Sequence, residues 1–161
     1  LSDMEKMVVR GVAHDYDIGQ ISVIGVPDIP GMAFKLFKLL ADEDINVDII
    51  LQSTSRDATR DISFTVAKSN LERSISIIEE NLDLLGAKRV TNTDDIAKVS
   101  IVGAGMVGNP GVACMMFEAL ADVGVNIYMI STSEIKISCL IGPEDVERAI
   151  GAIHEKFKLG C

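Results

Sequence analysis

The sequence predicts an α+β protein made of two ferredoxin-like βαββαβ domains, each an antiparallel sheet with helices on one face. Three observations carry this. First, one pattern is written twice. Residues 20–25 (QISVIG) and Pro30-Gly31-Met32-Ala33 return as residues 98–103 (KVSIVG) and Pro110-Gly111-Val112-Ala113. Leu40-Ala41-Asp42 returns as Leu120-Ala121-Asp122, Ile45-Asn46-Val47 as Val125-Asn126-Ile127, Ile62-Ser63 as Ile137-Ser138, and Leu71-Glu72-Arg73 as Val146-Glu147-Arg148. The offset is constant from the Pro-Gly to the Asn pairs and is shorter at the Glu-Arg pairs. Second, apolar residues switch within each copy between strand alternation and helical spacing. Third, 161 residues at 48% hydrophobic and 24% charged suit a globular chain with two copies of about 70–80 residues. Domains that small bury a modest fraction of their surface, so the copies are expected to pack together or to pair with another chain.

Each element has its own reason. Residues 8–13 are a β-branched apolar run, hence a strand, and residues 18–26 are a second. Pro30-Gly31 opens a helix to about residue 44, because Met32, Ala33, Leu36, Phe37 and Leu40 recur at helical spacing. Residues 45–51 are nearly continuously apolar, which predicts a buried strand. A polar turn follows at 53–59. Residues 61–67 alternate, with Ile62, Phe64 and Val66 on one face of a half-buried strand. Ser69-Asn70-Leu71-Glu72 starts a helix to about residue 85, Gly86 ends it, and residues 87–91 form a short fourth strand. The second copy repeats the order, with strands at 97–103, 126–131 and 134–141 and helices at 110–123 and 143–158. Pro143 suits a first helical turn.

The second copy then stops one strand short. The leftover strand at 8–13 is expected to complete its sheet, since a bare edge is a liability. The expected domains are therefore 15–93, and 1–14 plus 94–161, the latter discontinuous.

Several function classes drop out. A net charge of -9 without a basic patch argues against nucleic acid. No apolar run could span a bilayer and no signal-peptide pattern is present, so no membrane is expected and the cytoplasm is the expected compartment. Cys114, Cys139 and Cys161 have unrelated spacings. They read as free thiols on a helix, in a buried strand and at the chain end, with neither a disulfide framework nor a metal set. His14 and His154 are isolated, no nucleophile–base set can be proposed, and no catalytic residue is assigned. The run from Gly103 to Gly108 fits G-x-G-x-x-G. Copy one does the same job with Gly25 and Gly31, Pro110 leads the next helix, and no acidic residue closes the next strand, so a dinucleotide site is not expected.

The two Pro-Gly loops read better as grips for a small anion. A helix start offers unpaired N–H groups and the positive end of the helix dipole. Asp28 stands beside the first, and a carboxylate next to an anion site suits the adjacent ammonium and carboxylate of an amino acid. Asp28 as a helix cap or a loop-solvating residue is the competing reading. Asn46 and Asn126 are turn residues or amides facing a ligand, and Gln52, Ser131, Thr132 and Ser133 close the strands that follow.

Residues 22–31 (SVIGVPDIPG), 45–53 (INVDIILQS), 61–65 (DISFT), 102–112 (VGAGMVGNPGV) and 125–138 (VNIYMISTSEIKIS) together resemble the paired ACT domains of aspartate kinase (aspartokinase). Residues 4–15 resemble the start of that family's separately translated regulatory β subunit. Leu1 in place of an initiator Met reads as a fragment or a trimmed chain. The resemblance implies a non-catalytic module that binds end-product amino acids, threonine and/or lysine, and mediates feedback inhibition of aspartate phosphorylation. Its partners would be a second copy in a homodimer and the kinase catalytic domain. It implies no cofactor here, because ATP and Mg belong to the kinase domain. One implied effector site uses Asp28, Ile29, Pro30, Gly31, Met32, Ala33 and Gln52, with Asn126 and Ile127 across a seam between two chains. The other uses Met106, Asn109, Pro110, Gly111 and Val112 with Asn46, Val47 and Asp48, and with Thr132, Ser133 and Glu134 nearby. Family members often carry His where this chain has Asn109. The alternative is an ACT-type amino-acid sensor of a different biosynthetic enzyme.

Overall fold

The structure is a computed structural model that describes residues 9–103 and 111–158, without the side chains of Val9 and Arg10. The chain forms two compact units, Asp17–Asp94 and a second that joins Leu1–Tyr16 to Asp95–Cys161.

Strand β1 (Val9–Asp15) belongs to the second unit. The first unit follows with β2 (Gly19–Pro27), α1 (Met32–Asp42), β3 (Ile50–Gln52), β4 (Thr59–Val66), α2 (Leu71–Glu80), α3 (Leu82–Leu85) and β5 (Arg89–Thr93). Its antiparallel sheet has the order β3-β4-β2-β5. The second unit continues with β6 (Ala97–Gly103), α4 (Gly111–Asp122), β7 (Met129–Thr132), β8 (Lys136–Ile141) and α5 (Val146–Phe157), and its sheet order is β1-β6-β8-β7. β1 lies antiparallel on β6, with Asp15 opposite Lys98.

Period-two alternation builds each core. In the first unit Ile21, Val23, Ile62, Phe64 and Val66 point to the helices and meet Leu36, Leu40, Ile78 and Leu85. The Phe64 ring is closed from water and sits edge-on to Phe37 at 5.4 Å, the arrangement aromatic quadrupoles favour. Val99, Ile101, Ile137, Cys139 and Ile141 play the same part in the second unit, against Met116, Leu120, Ile153 and Phe157. Each central strand pair also carries a serine pair, with Oγ–Oγ distances of 2.8 Å for Ser22–Ser63 and 2.8 Å for Ser100–Ser138.

The repeated Leu-Ala-Asp and Ile/Val-Asn segments are one helix-ending device used twice. After α1, the N–H of Asp44 donates to Ala41 and that of Ile45 to Leu40. After α4, Gly124 donates to Ala121 and Val125 to Leu120. This is the Schellman pattern, completed by its usual apolar contact, here Ile45 with Leu40 and Val125 with Leu120, all four buried. The reversal needs a left-handed residue, supplied by Asp44 at φ 63 and by Gly124 at φ 71.

Four expectations are corrected, the simplest being that the strand expected at 126–131 is β7, Met129–Thr132. Residues 45–51 are not a buried strand: β3 spans Ile50–Gln52 and all three of its residues are exposed. Thr65 is the reason. Its Oγ1 accepts from the N–H of Ile49, while its backbone bonds Asp48 and Ile49, so this stretch reaches β4 irregularly and β3 is left as an edge. The long helix from 71 to 85 is divided at Asn81, whose side-chain amide donates to the Ile77 carbonyl at 2.7 Å and competes with the helix ladder. The fourth strand starts at Arg89 rather than 87, because the N–H of Ala87 is used on Leu82 to close the helix at Gly86.

Among the described residues, no helix is long and apolar enough to cross a membrane, and no cluster of side chains could hold a metal ion. The glycine-rich loop after Gly103 and Cys161 lie outside the described residues.

Candidate functional site

Unequal strands create the site in the first unit. β2 carries one more residue than β4 between the pairs Val23–Ile62 and Val26–Arg60. The extra residue is accommodated at Gly25, whose φ of 74 puts it in the left-handed region that a bulge of this type demands. Its N–H is held by Asp61 Oδ1 at 3.0 Å. Beyond the bulge β2 turns away, and the chain runs through Pro27, Asp28, Ile29 and Pro30 to Gly31, which caps α1 with no side-chain hydrogen bond. The first amides of α1 are therefore not covered by a capping side chain.

A hairpin faces this loop. Arg56 and Thr59 close it with reciprocal backbone hydrogen bonds, and Asp57 and Ala58 both have positive φ, the geometry of a type I′ turn. The Asp28 N–H donates to the Ala58 carbonyl at 2.8 Å. Arg60 then binds both sides: Nε donates to Asp28 Oδ1 at 2.7 Å and Nη1 to the Ser53 carbonyl at 3.2 Å. The Arg60 hydrogen bond, then one from Ser55, holds the Asp28 carboxyl below its ordinary range, so Asp28 is an anion.

Between loop and hairpin lies a cavity of about 110 Å³, lined by Val26, Pro27, Asp28, Ile29, Gly31, Met32, Ala33, Gln52, Arg60 and Ile62. Of the first expected set, Asp28, Ile29, Gly31, Met32, Ala33 and Gln52 come together here. Pro30 shapes the loop without lining the cavity. Arg60, Ile62, Val26 and Pro27 were not anticipated.

The second expected set is described only in part. Met106, Asn109 and Pro110 lie outside the described residues. Gly111 and Val112 open α4, and the Val112 side chain is buried in the core. Asn46, Val47 and Asp48 precede β3, and Asn126 and Ile127 precede β7, with both asparagines exposed. Thr132 ends β7, and Ser133 and Glu134 enter a turn closed by the Ser133 N–H on the Lys136 carbonyl at 2.8 Å.

The ACT-domain sequence profile matches residues 21–82 and 99–157, one match in each unit. The regulatory subunit of aspartate kinase from Thermus thermophilus, solved in its ligand-free form, superposes with a TM-score of 0.87 at 43% identity, covering 93% of this chain and 99% of that one. The chain belongs to the ACT-domain family, in the tandem form of aspartate kinase regulatory subunits. Aspartokinases from Mycolicibacterium smegmatis (43% identical over 159 residues) and Corynebacterium glutamicum (46% over 160) each match 98% of this chain. The chain spans 38% of the length of each of those relatives. It therefore corresponds to the regulatory part of aspartate kinase, and both ACT units carry the fold that the repeated sequence predicts.

Proposed function

We propose that this chain senses end-product amino acids, threonine and/or lysine, and relays their binding as feedback inhibition of aspartate phosphorylation by an aspartate kinase catalytic domain. The observation that carries the reading is the cavity at the start of α1. It sets an ionised Asp28 beside uncapped helix amides, which suits an ammonium and a carboxylate on neighbouring atoms. Inhibition follows by linkage: the effector shifts the kinase as far as it prefers the inhibited arrangement.

In this proposal the working unit is a homodimer in the cytoplasm. Both β3 and β7 are edge strands that display an apolar side chain at one equivalent position, Ile50 on one and Ile130 on the other, and β3 adds the exposed Leu51. Bare apolar edges favour side-by-side sheet pairing. Asn126 and Ile127 of a second copy would then complete the Asp28 cavity. Met106, Asn109, Pro110, Gly111 and Val112 would face Asn46, Val47 and Asp48 of the other copy, with Thr132, Ser133 and Glu134 close by.

The test is a melt of the chain with threonine, lysine or both, followed by a kinase assay with the catalytic domain added. A ligand at a hundredfold excess over Kd adds about 2.7 kcal/mol to stability, a shift of several degrees in Tm. No shift at millimolar concentrations of either amino acid would reject the proposal.

A further inference from the structure

We propose that Arg60 is a recognition residue of the first-unit cavity, donating to the α-carboxylate of the bound amino acid while Asp28 takes its ammonium. This rests on the effector-binding reading above and adds a residue to it. Arg60 Nε is spent on Asp28 and Nη1 on Ser53, and Nη2 has no hydrogen-bond partner among the described residues. A guanidinium carries five donors in a flat fork, and a carboxylate accepts at two oxygens, so each group keeps capacity after pairing. Asp28 and Arg60 both line the cavity. The wall thus presents a negative and a positive group side by side, the complement of a zwitterion. Because Arg60 itself lines this cavity of about 110 Å³, a carboxylate bound there sits well within the Debye length of about 8 Å of the guanidinium and feels its charge.

The competing account is an ion pair that merely holds the hairpin. Two facts weigh against it. The pair is about one-third exposed on both sides, at 36% for Arg60 and 34% for Asp28, and such pairs add little stability. The duplicated fold also does without it. Counting back from the matched Ile62-Ser63 and Ile137-Ser138, the second copy has exposed Ile135 where the first has Arg60, and counting back from the matched Pro-Gly it has Gly108 where the first has Asp28.

The experiment is calorimetry on the whole chain, wild type and Arg60→Gln, with L-threonine and L-lysine and with their carboxamides, at a pH where every α-amine is protonated. The carboxamides lack the carboxylate and keep the ammonium. Arg60→Gln should weaken the free amino acid about tenfold and its carboxamide less than twofold. Arg60→Lys, which keeps the charge, should recover part of the loss. Wild type alone supplies a second reading: added salt should weaken the amino acid more than its carboxamide. Equal losses for acid and carboxamide would make Arg60 a positioner of Asp28 and overturn the proposal, as would no loss in either. A wild-type chain that binds neither amino acid would instead overturn the effector reading beneath it.

Discussion

At the residue scale, chemistry turns on which polar groups have partners. Asp28 is held ionised by Arg60, and the sign of its pH effect follows. A depressed carboxyl contributes stability above its ordinary value and loses it as pH falls through the folded value. Carboxyl NMR should therefore place the Asp28 midpoint below the usual range, and Arg60→Gln should return it upward; an unmoved midpoint would remove Arg60 as the cause. The two serine pairs make a matched contrast. Ser100 and Ser138 are 2% and 3% exposed, whereas Ser22 and Ser63 are half-buried. Ser100→Ala should cost about 1–3 kcal/mol in a denaturant melt, because it strands the Ser138 hydroxyl away from water, and Ser22→Ala should cost less. A double Ser100→Ala, Ser138→Ala chain should recover most of the loss, since no polar atom is left unpaired. Cys139 is closed from water, and burial pushes its thiol up to about 12, while Cys114 is exposed. A thiol reagent should modify Cys114 in the native chain and reach Cys139 on unfolding.

At the element scale, the repeat shows what a fold fixes and what it leaves free. The Schellman endings of α1 and α4 need an apolar pair and a left-handed residue, and the sequence repeats the Leu and Ile/Val for that reason. The left-handed position differs, Asp44 in one and Gly124 in the other. A side chain at Gly124 would meet nothing within 4 Å, so Gly124→Ala reports backbone conformation alone and should cost about 1–2 kcal/mol. A neutral result would mean that α4 ends another way in solution. Elements with a strong signature were legible in the sequence: β6 falls where the repeat of residues 20–25 placed it, and α1 where five apolar residues at helical spacing placed it. Elements set by single side-chain hydrogen bonds were not. β3 is exposed because Thr65 rearranges its approach, and the helix breaks at Asn81 through one amide hydrogen bond. The site divides in the same way. Asp28, Gly31 and Gln52 were visible as loop chemistry, while Arg60 enters through the register of β4 against the Gly25 bulge, which pattern alone does not reveal.

At the scale of the whole molecule, a strand that precedes the first unit in sequence is built into the second. β1 covers β6, whose Val99 and Ile101 are wholly buried, and Val12 of β1 packs on the same core. Without β1 the order β1-β6-β8-β7 becomes an open three-stranded sheet whose bare edge is a core strand, an arrangement prone to slip or to recruit another chain. Deleting residues 1–14 should therefore loosen the second ACT unit and leave the first intact. Hydrogen exchange reads the two units separately, which a single Tm cannot do. Protection across β6 and β8 should fall well below that of the full chain, while β2 and β4, whose partners all lie within Asp17–Asp94, should keep theirs. Added peptide spanning the deleted residues should restore protection in β6, since the ladder from Val9–Gly103 to His14–Val99 supplies its register. Equal loss in both units would mean that the chain unfolds as one body, and unchanged exchange in β6 would mean that β1 is dispensable to the sheet it completes.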